Sequence, residues 1–282
     1  VDAELRIKKE RARAILGRSR NLIVALSGGV DSAVLLALAV EHLGVDHVLA
    51  VTGRSPSLPD DDLVDARETA RRLGARHEIV DTAELERSGY RANAGDRCYH
   101  CRSELFDTLR KVAERRGFGA IAYGAIDDDV GDFRPGMGAA TERGVLAPLL
   151  EAGIGKQEVR SLAAEFGIEI HDKPAAACLA SRIPSGIEVT PERLGQIGRA
   201  EKALKALGFV RVRVRHHGEV ARLELDPADD RRLSDPDLRR RVVDAVKEAG
   251  FRYVALDLEG YRTGSLNPLK TQGIRPARES GQ

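Results

Sequence analysis

The sequence predicts an α/β protein, a doubly wound parallel sheet followed by a second, smaller α+β domain. Three observations carry this expectation. Short apolar runs alternate with stretches of helical period over the first 170 or so residues, and a glycine turn, SGGVDS, separates the first run from its helix. After about residue 190 the pattern becomes a helix followed by strands of period two.

Taken in order, residues 2–18 place apolar positions at helical spacing among charges, and 22–26 read as a buried strand. The helix over 33–43 is closed by Gly44. A strand over 48–51, a helix over 61–73, a strand over 76–80, a helix over 105–116 and a strand over 120–123 follow. Such alternation implies a parallel sheet covered on both faces, whose ligands sit beyond the carboxyl ends of the strands. The stretch KPAAACLASRIPSG, rich in Ala and Pro, separates two differently patterned regions. Thr190 is placed to cap the next helix, with Pro191 at its first position and an end at 207. Strands over 209–215 and 220–225, a helix over 237–249 and a strand over 253–258 complete the small domain. The expected division is 1–172, a linker over 173–184 that carries Cys178, 185–270, and a polar tail over 271–282 that frays.

Composition narrows the function. The 282 residues include 45 Lys and Arg against 44 Asp and Glu, a net charge of +1, so no global field draws the chain to nucleic acid or membrane. Aromatics are 4% and Trp is absent, which argues against stacking of unpaired bases as its main work. The longest apolar run, 33–40, is eight residues, whereas a spanning helix needs about 20. Three cysteines cannot all pair within one chain and no leader pattern opens the sequence, so a cytoplasmic setting with reduced thiols is expected.

Ser27, Gly28, Gly29, Val30, Asp31 and Ser32 lie between a buried strand and a helix, where successive backbone N–H groups and the helix dipole favour phosphate. The glycines admit close approach, the two serine hydroxyls add donors, and Asp31 can hold Mg2+. The loop lacks the Gly-Lys-Ser/Thr ending of a P-loop, so γ-phosphate transfer is not what it suggests. SGGVDS resembles the pyrophosphate loop of the N-type ATP pyrophosphatases, which cut ATP between the α and β phosphates. The resemblance implies an adenine nucleotide alpha hydrolase-like fold and an ATP site completed by Thr52 and Ser57, and by Gly124, Asp127 and Asp128. From the residues alone, Asp127-Asp128-Asp129 is equally a solvated turn.

Cys98-Tyr99-His100-Cys101 presents two thiols in one short arc, a spacing used for zinc, iron–sulfur clusters and dithiol chemistry. Cys178 is either a third ligand or a buried free cysteine. A structural zinc would want a fourth ligand, which His100 supplies only awkwardly, whereas three thiolates leave one metal position open.

PAAACLASRIPSG, together with SGGVDS, DRCYHCRSELF, YGAIDDD and VRVRHHG in that order, resembles the LarE family over nearly the whole chain. That family comprises ATP-dependent sulfur transferases that make the nickel-pincer nucleotide of lactate racemase. The resemblance implies a small nucleotide substrate, pyridinium-3,5-biscarboxylic acid mononucleotide, and a homo-oligomer. One family form gives up the sulfur of a cysteine that matches Cys178. Another holds a 4Fe-4S cluster on three cysteines and passes on an extra sulfide. Cysteines at all three matching places imply the cluster form here, with Cys98, Cys101 and Cys178 as ligands. The source of the sulfide is not readable.

The substrate's phosphate and carboxylates call for cations, and arginine grips such groups with paired N–H bonds. Arg102 adjoins Cys101, and Ser181 and Arg182 follow Cys178 closely. Arg211, Arg213 and Arg215 share a strand face, which is alternatively just an exposed sheet surface. The resemblance singles out Arg213, with Glu201 and Glu224 as further pocket candidates, while His216 and His217 point to opposite faces and stay unassigned. Competing functions are a tRNA thiolase, which the near-neutral charge disfavours, an ammonia-using amidotransferase, which leaves the cysteines idle, and a non-catalytic ATP-binding redox regulator.

Overall fold

The computed structural model describes residues 3–129, 135–169 and 177–262. The expected boundary at 172–173, the first residues of the linker and the tail from 271 lie outside the described residues. Helix α1 (Ala3–Leu16) buries Leu5, Ala12, Ile15 and Leu16 and keeps most of its charges outward. Strand β1 (Leu22–Ala25) follows, and α2 (Val30–Leu43) begins within the glycine turn, three residues earlier than its apolar run suggests. Then come β2 (Val48–Arg54), α3 (Asp60–Arg72), β3 (Arg76–Asp81), the single turn α4 (Ser88–Ala92), α5 (Arg97–Arg116) and β4 (Ala120–Tyr123). Helices α6 (Pro135–Glu142), α7 (Pro148–Glu151) and α8 (Lys156–Glu165) complete this layer.

The four strands are all parallel, in the order β3-β2-β1-β4, with Leu22 opposite Val48 on one side and Ala120 on the other. Side chains of a strand alternate between faces. Leu22, Val24 and Leu26 therefore join a core with α1, α2 and α8, and Ile23 and Ala25 join the opposite core with Phe106, Leu109 and Val112 of α5. Because the chain runs outward from β1 through β2 to β3 and then returns to β4 on the other side of β1, the order reverses between β1 and β4. That reversal opens a crevice at the carboxyl ends of the two strands, where parallel sheets bind ligands.

The second sheet is small and mixed. Helix α9 (Pro191–Ala206) starts with Thr190 Oγ1 accepting from the Arg193 amide, as the sequence predicts. Strands β5 (Val212–His217) and β6 (Val220–Leu225) pair antiparallel, the single turn α10 (Pro227–Asp230) and α11 (Pro236–Glu248) follow, and β7 (Tyr253–Leu256) pairs parallel to β6. Strand β5 begins at Val212, three residues later than predicted, which leaves Arg211 outside the strand and paired with Asp226.

The sheets are joined by polar contacts around one residue. Asn93, 3% exposed, closes α4 in the left-handed conformation (φ 52°, ψ 41°), which asparagine tolerates. Its Nδ2 donates to the carbonyls of Pro184 (2.8 Å), Ile187 (3.0 Å) and Ile183 (3.3 Å), and its Oδ1 accepts from Arg97 Nη1 (2.6 Å). Arg97 also donates to the Ala180 carbonyl (2.9 Å). The turn that starts at Cys178 is thereby fastened to the start of α5, which carries Cys98 and Cys101.

Candidate active site

At the crevice, the loop over 27–32 is shaped by its own side chains. Ser32 Oγ donates to the Gly29 carbonyl (2.9 Å) and accepts from the Ser27 amide (3.1 Å), and the two serine hydroxyls stand 3.1 Å apart. Among the described residues no side chain caps α2, so the dipole and first amides of this 14-residue helix face the crevice. Two glycines are sterically required. Gly28 has φ +80°, and a Cβ there would stand 2.1 Å from the Asp62 carbonyl oxygen. A Cβ on Gly124, just after β4, would stand 2.7 Å from the Ser32 amide nitrogen.

The loop forms part of the wall of a cavity of about 520 Å³, a volume suited to a nucleotide-sized ligand. Of the residues expected to bind ATP, Ser27, Gly29, Val30, Asp31, Ser32, Thr52, Ser57, Gly124 and Asp128 line it. The same wall carries Cys101, Cys178 and Arg102. Loop and thiols are thus brought to one cavity, although Cys178 lies far from both in sequence.

Individual side chains do more specific things than their sequence suggests. Thr52 Oγ1 donates to the Leu26 carbonyl (2.7 Å) and meets His77 Nε2 (2.8 Å), so the hydroxyl ties the strand ends together. Burial, followed by the charge of Arg67, lowers the pKa of His77. Ser57 donates to Glu84 Oε1 (2.8 Å), and its carbonyl accepts from the Leu179 amide (2.8 Å), which places it beside Cys178. Asp127 is exposed and not on the wall, whereas Asp128 Oδ2 accepts from the Lys156 amide (2.6 Å). Asp129 is buried, with its carboxylate turned back to the Ile126 amide.

Two wall residues escaped the sequence reading. Lys156 Nζ lies 2.7 Å from Asp31 Oδ1, which adds a cation to the neutral amide donors of the phosphate loop. Gly155-Lys156 at the start of α8 was the available signal. Glu84, 2% exposed, accepts from both Ser57 and Thr82 and stands near the thiols. Nothing in its local sequence marks it.

Cys98 and Cys101 lie one helical turn apart in α5, which begins eight residues earlier than its apolar period predicts. Cys98 is exposed, and Cys101 and Cys178 are partly buried. Burial, followed by the charges of Cys178, Glu84 and Cys98, pushes the Cys101 thiol well above its ordinary pKa. Cys101 therefore feels the charge of both other cysteines, and three thiolates suit iron in donor type. Among the described residues, however, no three His, Cys, Asp or Glu side chains converge closely enough to hold a metal ion. For Mg2+, Asp31 and Asp128 provide oxygen donors of the right kind on the wall.

Arg102 Nη1 is buried without a hydrogen-bond partner among the described residues, and the guanidinium lies over the Tyr123 ring at 5.0 Å. A partly buried guanidinium with an N–H to spare on a cavity wall is suited to an anionic group. The remaining substrate candidates are not on this wall. Arg182, 2% exposed, binds both oxygens of Glu201 (2.9 and 3.1 Å) and donates to the carbonyls of Ala177 and Cys178 and to Ser181 Oγ. Glu201 also accepts from the Val214 amide. Glu224, fully buried, pairs with Arg215 (2.7 Å) and Arg222 (3.2 Å). Arg213 is half-buried over the Tyr261 ring at 5.2 Å, its pKa lowered by burial and then by Arg182. These residues form a charge network behind the Cys178 turn rather than an exposed arginine row.

A phosphate loop at the reversal of a parallel sheet, sharing a cavity with thiols, defines an ATP-dependent enzyme of the PP-loop superfamily. The family model for NAD synthase matches residues 13–106. The chain is 42% identical to an uncharacterised protein of Synechocystis sp. over 95% of this chain and all of that protein. It is 36% identical to the pyridinium-3,5-bisthiocarboxylic acid mononucleotide synthase of Lactiplantibacillus plantarum over 96% of this chain and 97% of that one. A tRNA-specific 2-thiouridylase of Rickettsia africae is 28% identical over 56% of this chain and 53% of its own. The chain belongs to the LarE family, that of the pyridinium-3,5-bisthiocarboxylic acid mononucleotide synthases. No helix among the described residues is long and apolar enough to cross a membrane.

Proposed function

We propose that the chain uses ATP to adenylate a carboxylate of pyridinium-3,5-biscarboxylic acid mononucleotide and replaces it with a thiocarboxylate, in biosynthesis of the nickel-pincer nucleotide. The observation that carries this reading is the single cavity walled by both the 27–32 loop and the Cys101 and Cys178 thiols. The reading includes a cytoplasmic, homo-oligomeric enzyme acting on a small nucleotide.

A carboxylate resists nucleophiles because it is already negative. Its oxygen attacks the α-phosphorus of ATP, the α–β bridge breaks, and pyrophosphate leaves. The amides of the loop and the Ser27 and Ser32 hydroxyls hold the phosphate oxygens, and Asp31 and Asp128 are the donors for Mg2+. Lys156, held at Asp31 in the resting state, adds a charge that can follow the departing pyrophosphate. Arg102 grips an anionic group of the substrate. Sulfur then attacks the acyl carbon and AMP leaves with the carboxylate oxygen.

Cys98, Cys101 and Cys178 would hold the 4Fe-4S cluster, which would supply sulfide as the nucleophile. Arg182 keeps Cys178 facing the cavity by holding the carbonyls of its turn. The absence of a converged donor set among the described residues favours a second reading, in which Cys178 is consumed. Its thiolate then attacks, a base removes its α-proton, the Cβ–S bond breaks, and dehydroalanine remains.

Pyrophosphate release with ATP, Mg2+ and the substrate tests adenylation, and its absence overturns the reading. Intact mass after turnover separates the two forms. An unchanged mass after many turnovers supports the cluster, whereas a loss of about 34 Da, the mass of hydrogen sulfide, marks a consumed Cys178.

A further inference from the structure

Lys156, the first residue of α8, engages both of the acidic side chains that offer oxygen donors for Mg2+. Its Nζ donates to Asp31 Oδ1 (2.7 Å), and its main-chain amide donates to Asp128 Oδ2 (2.6 Å). All three residues line the cavity. The approach of Asp128 is built into the backbone, since a Cβ on Gly155 would stand 2.9 Å from Asp128 Oδ2. The main-chain bond thus fixes the start of α8 against Asp128, while the side chain reaches across to the phosphate loop. The side chains of Lys156 and Asp31 are 31% and 30% exposed, so their pairing adds little to the stability of the fold.

Stability therefore does not explain why a cation is held at this carboxylate, whereas the electrostatics of metal entry does. Mg2+ reaching the cavity alone would have to displace the ammonium from Asp31 Oδ1 and then stand beside a like charge, in a partly enclosed site where screening is weaker than in water. Mg2+ carried by a triphosphate brings negative charge in excess of its own. Phosphate oxygens can then accept from the ammonium as Asp31 turns to the metal.

We propose that Lys156 restricts the metal site to metal delivered with nucleotide: its ammonium takes the place of a divalent cation at Asp31 when no nucleotide is bound, and passes to a phosphate oxygen when Mg-ATP enters. The inference rests on the adenylation reading above and makes Lys156 a specificity-determining residue of that site. Only hydrogen bonds and metal coordination are exchanged, and the ammonium keeps its protons.

The test is the binding of Mn2+ alone, an oxygen-seeking substitute for Mg2+ whose free form is read by electron paramagnetic resonance. Without nucleotide, the wild-type chain should bind Mn2+ weakly. In Lys156→Met the Mn2+ dissociation constant should fall at least about tenfold, and adding Asp31→Asn should abolish that gain. Lys156→Arg keeps the charge and should stay within about twofold of wild type. With EDTA present, ATP should bind Lys156→Met at least about threefold more weakly than wild type, because the cation that meets the phosphates is gone. Lys156→Gln supplies the same readings should the methionine variant fail to fold. An unchanged Mn2+ dissociation constant in the neutral variants overturns the inference, as does a gain that survives Asp31→Asn or an unchanged affinity for metal-free ATP. The Mn2+ measurements need neither ATP nor substrate. A wild-type chain that releases no pyrophosphate therefore defeats the adenylation reading, while pyrophosphate release with no gain in Mn2+ affinity defeats only the role of Lys156.

Discussion

Replacing Asn93 by Ala should loosen the joint that sets the Cys178 turn against α5. Three contributions can be read from the structure. Nδ2 makes two good bonds to carbonyls (2.8 and 3.0 Å), each worth about 1 kcal/mol net, and a longer third (3.3 Å) that shares the same two hydrogens and adds little. Oδ1 accepts a charge-assisted bond from Arg97, but that arginine keeps the Ala180 carbonyl, so about 1 kcal/mol is lost there. Alanine at φ 52° adds roughly 1 kcal/mol of backbone strain. The sum is about 4 kcal/mol, a large share of a typical stability of about 5–15 kcal/mol. Urea unfolding of Asn93→Ala and Asn93→Gly measures it. Glycine forfeits the same bonds but accepts the left-handed backbone, so it should be the more stable by roughly 0.5–1 kcal/mol after its greater unfolded-state entropy is counted. Nucleotide affinity should change little in the folded fraction, because Asn93 does not touch the 27–32 loop. A loss under about 1 kcal/mol for alanine would refute the reasoning, since buried carbonyls that tolerate losing their donors were not held by it.

Three other perturbations probe separate parts of the molecule. Gly124→Ala drives a Cβ to within 2.7 Å of the Ser32 amide nitrogen, a backbone atom with no rotamer to escape into. Calorimetric titration with Mg-ATP should show affinity lower by about tenfold or more, roughly 1.4 kcal/mol, with the fold retained, and unchanged affinity would mean that the two loops need not approach. Arg182→Met leaves Glu201 buried without its cation and should cost about 3–5 kcal/mol, whereas Arg182→Met combined with Glu201→Leu should cost clearly less. Equal losses in the single and double variants would argue against the buried pair. His77 is neutral in the fold because burial lowers its pKa, so protons gained by the unfolded chain below about pH 6.5 oppose folding. Its contribution is complete above that pH and declines as pH falls toward the folded value. His77→Gln should therefore lose less stability than the wild type between pH 7.5 and 5.5 in matched denaturation curves, and an identical slope would exclude His77 as a contributor.

The parallel sheet and its loop were legible because both signals are local. Leu22–Ala25 carries no polar side chain, and Gly28 occupies a turn where a Cβ would meet the Asp62 carbonyl. The extent of α5 was not legible, because Arg97 to Arg102 has no apolar stripe and is held helical through Asn93 and the Asp96 carbonyl. The arginines of β5 were legible as a pattern but not as partners. Period two places Arg213 and Arg215 on one face, yet it says nothing of Glu224 across the ladder or of Tyr261 above.

By itself, then, the sequence determined the order of elements, the point where phosphate is received and the family to which the chain belongs. These depend on residue periodicity and turn chemistry over a few neighbouring positions. Only the tertiary structure decided that Lys156 reaches Asp31 across 125 positions, that Arg182 serves Cys178's carbonyls and Glu201 instead of the cavity, and that Cys101 and Cys178 share a wall. Such pairings follow from how packed layers dispose side chains in space, a non-local outcome that spacing along the chain does not encode.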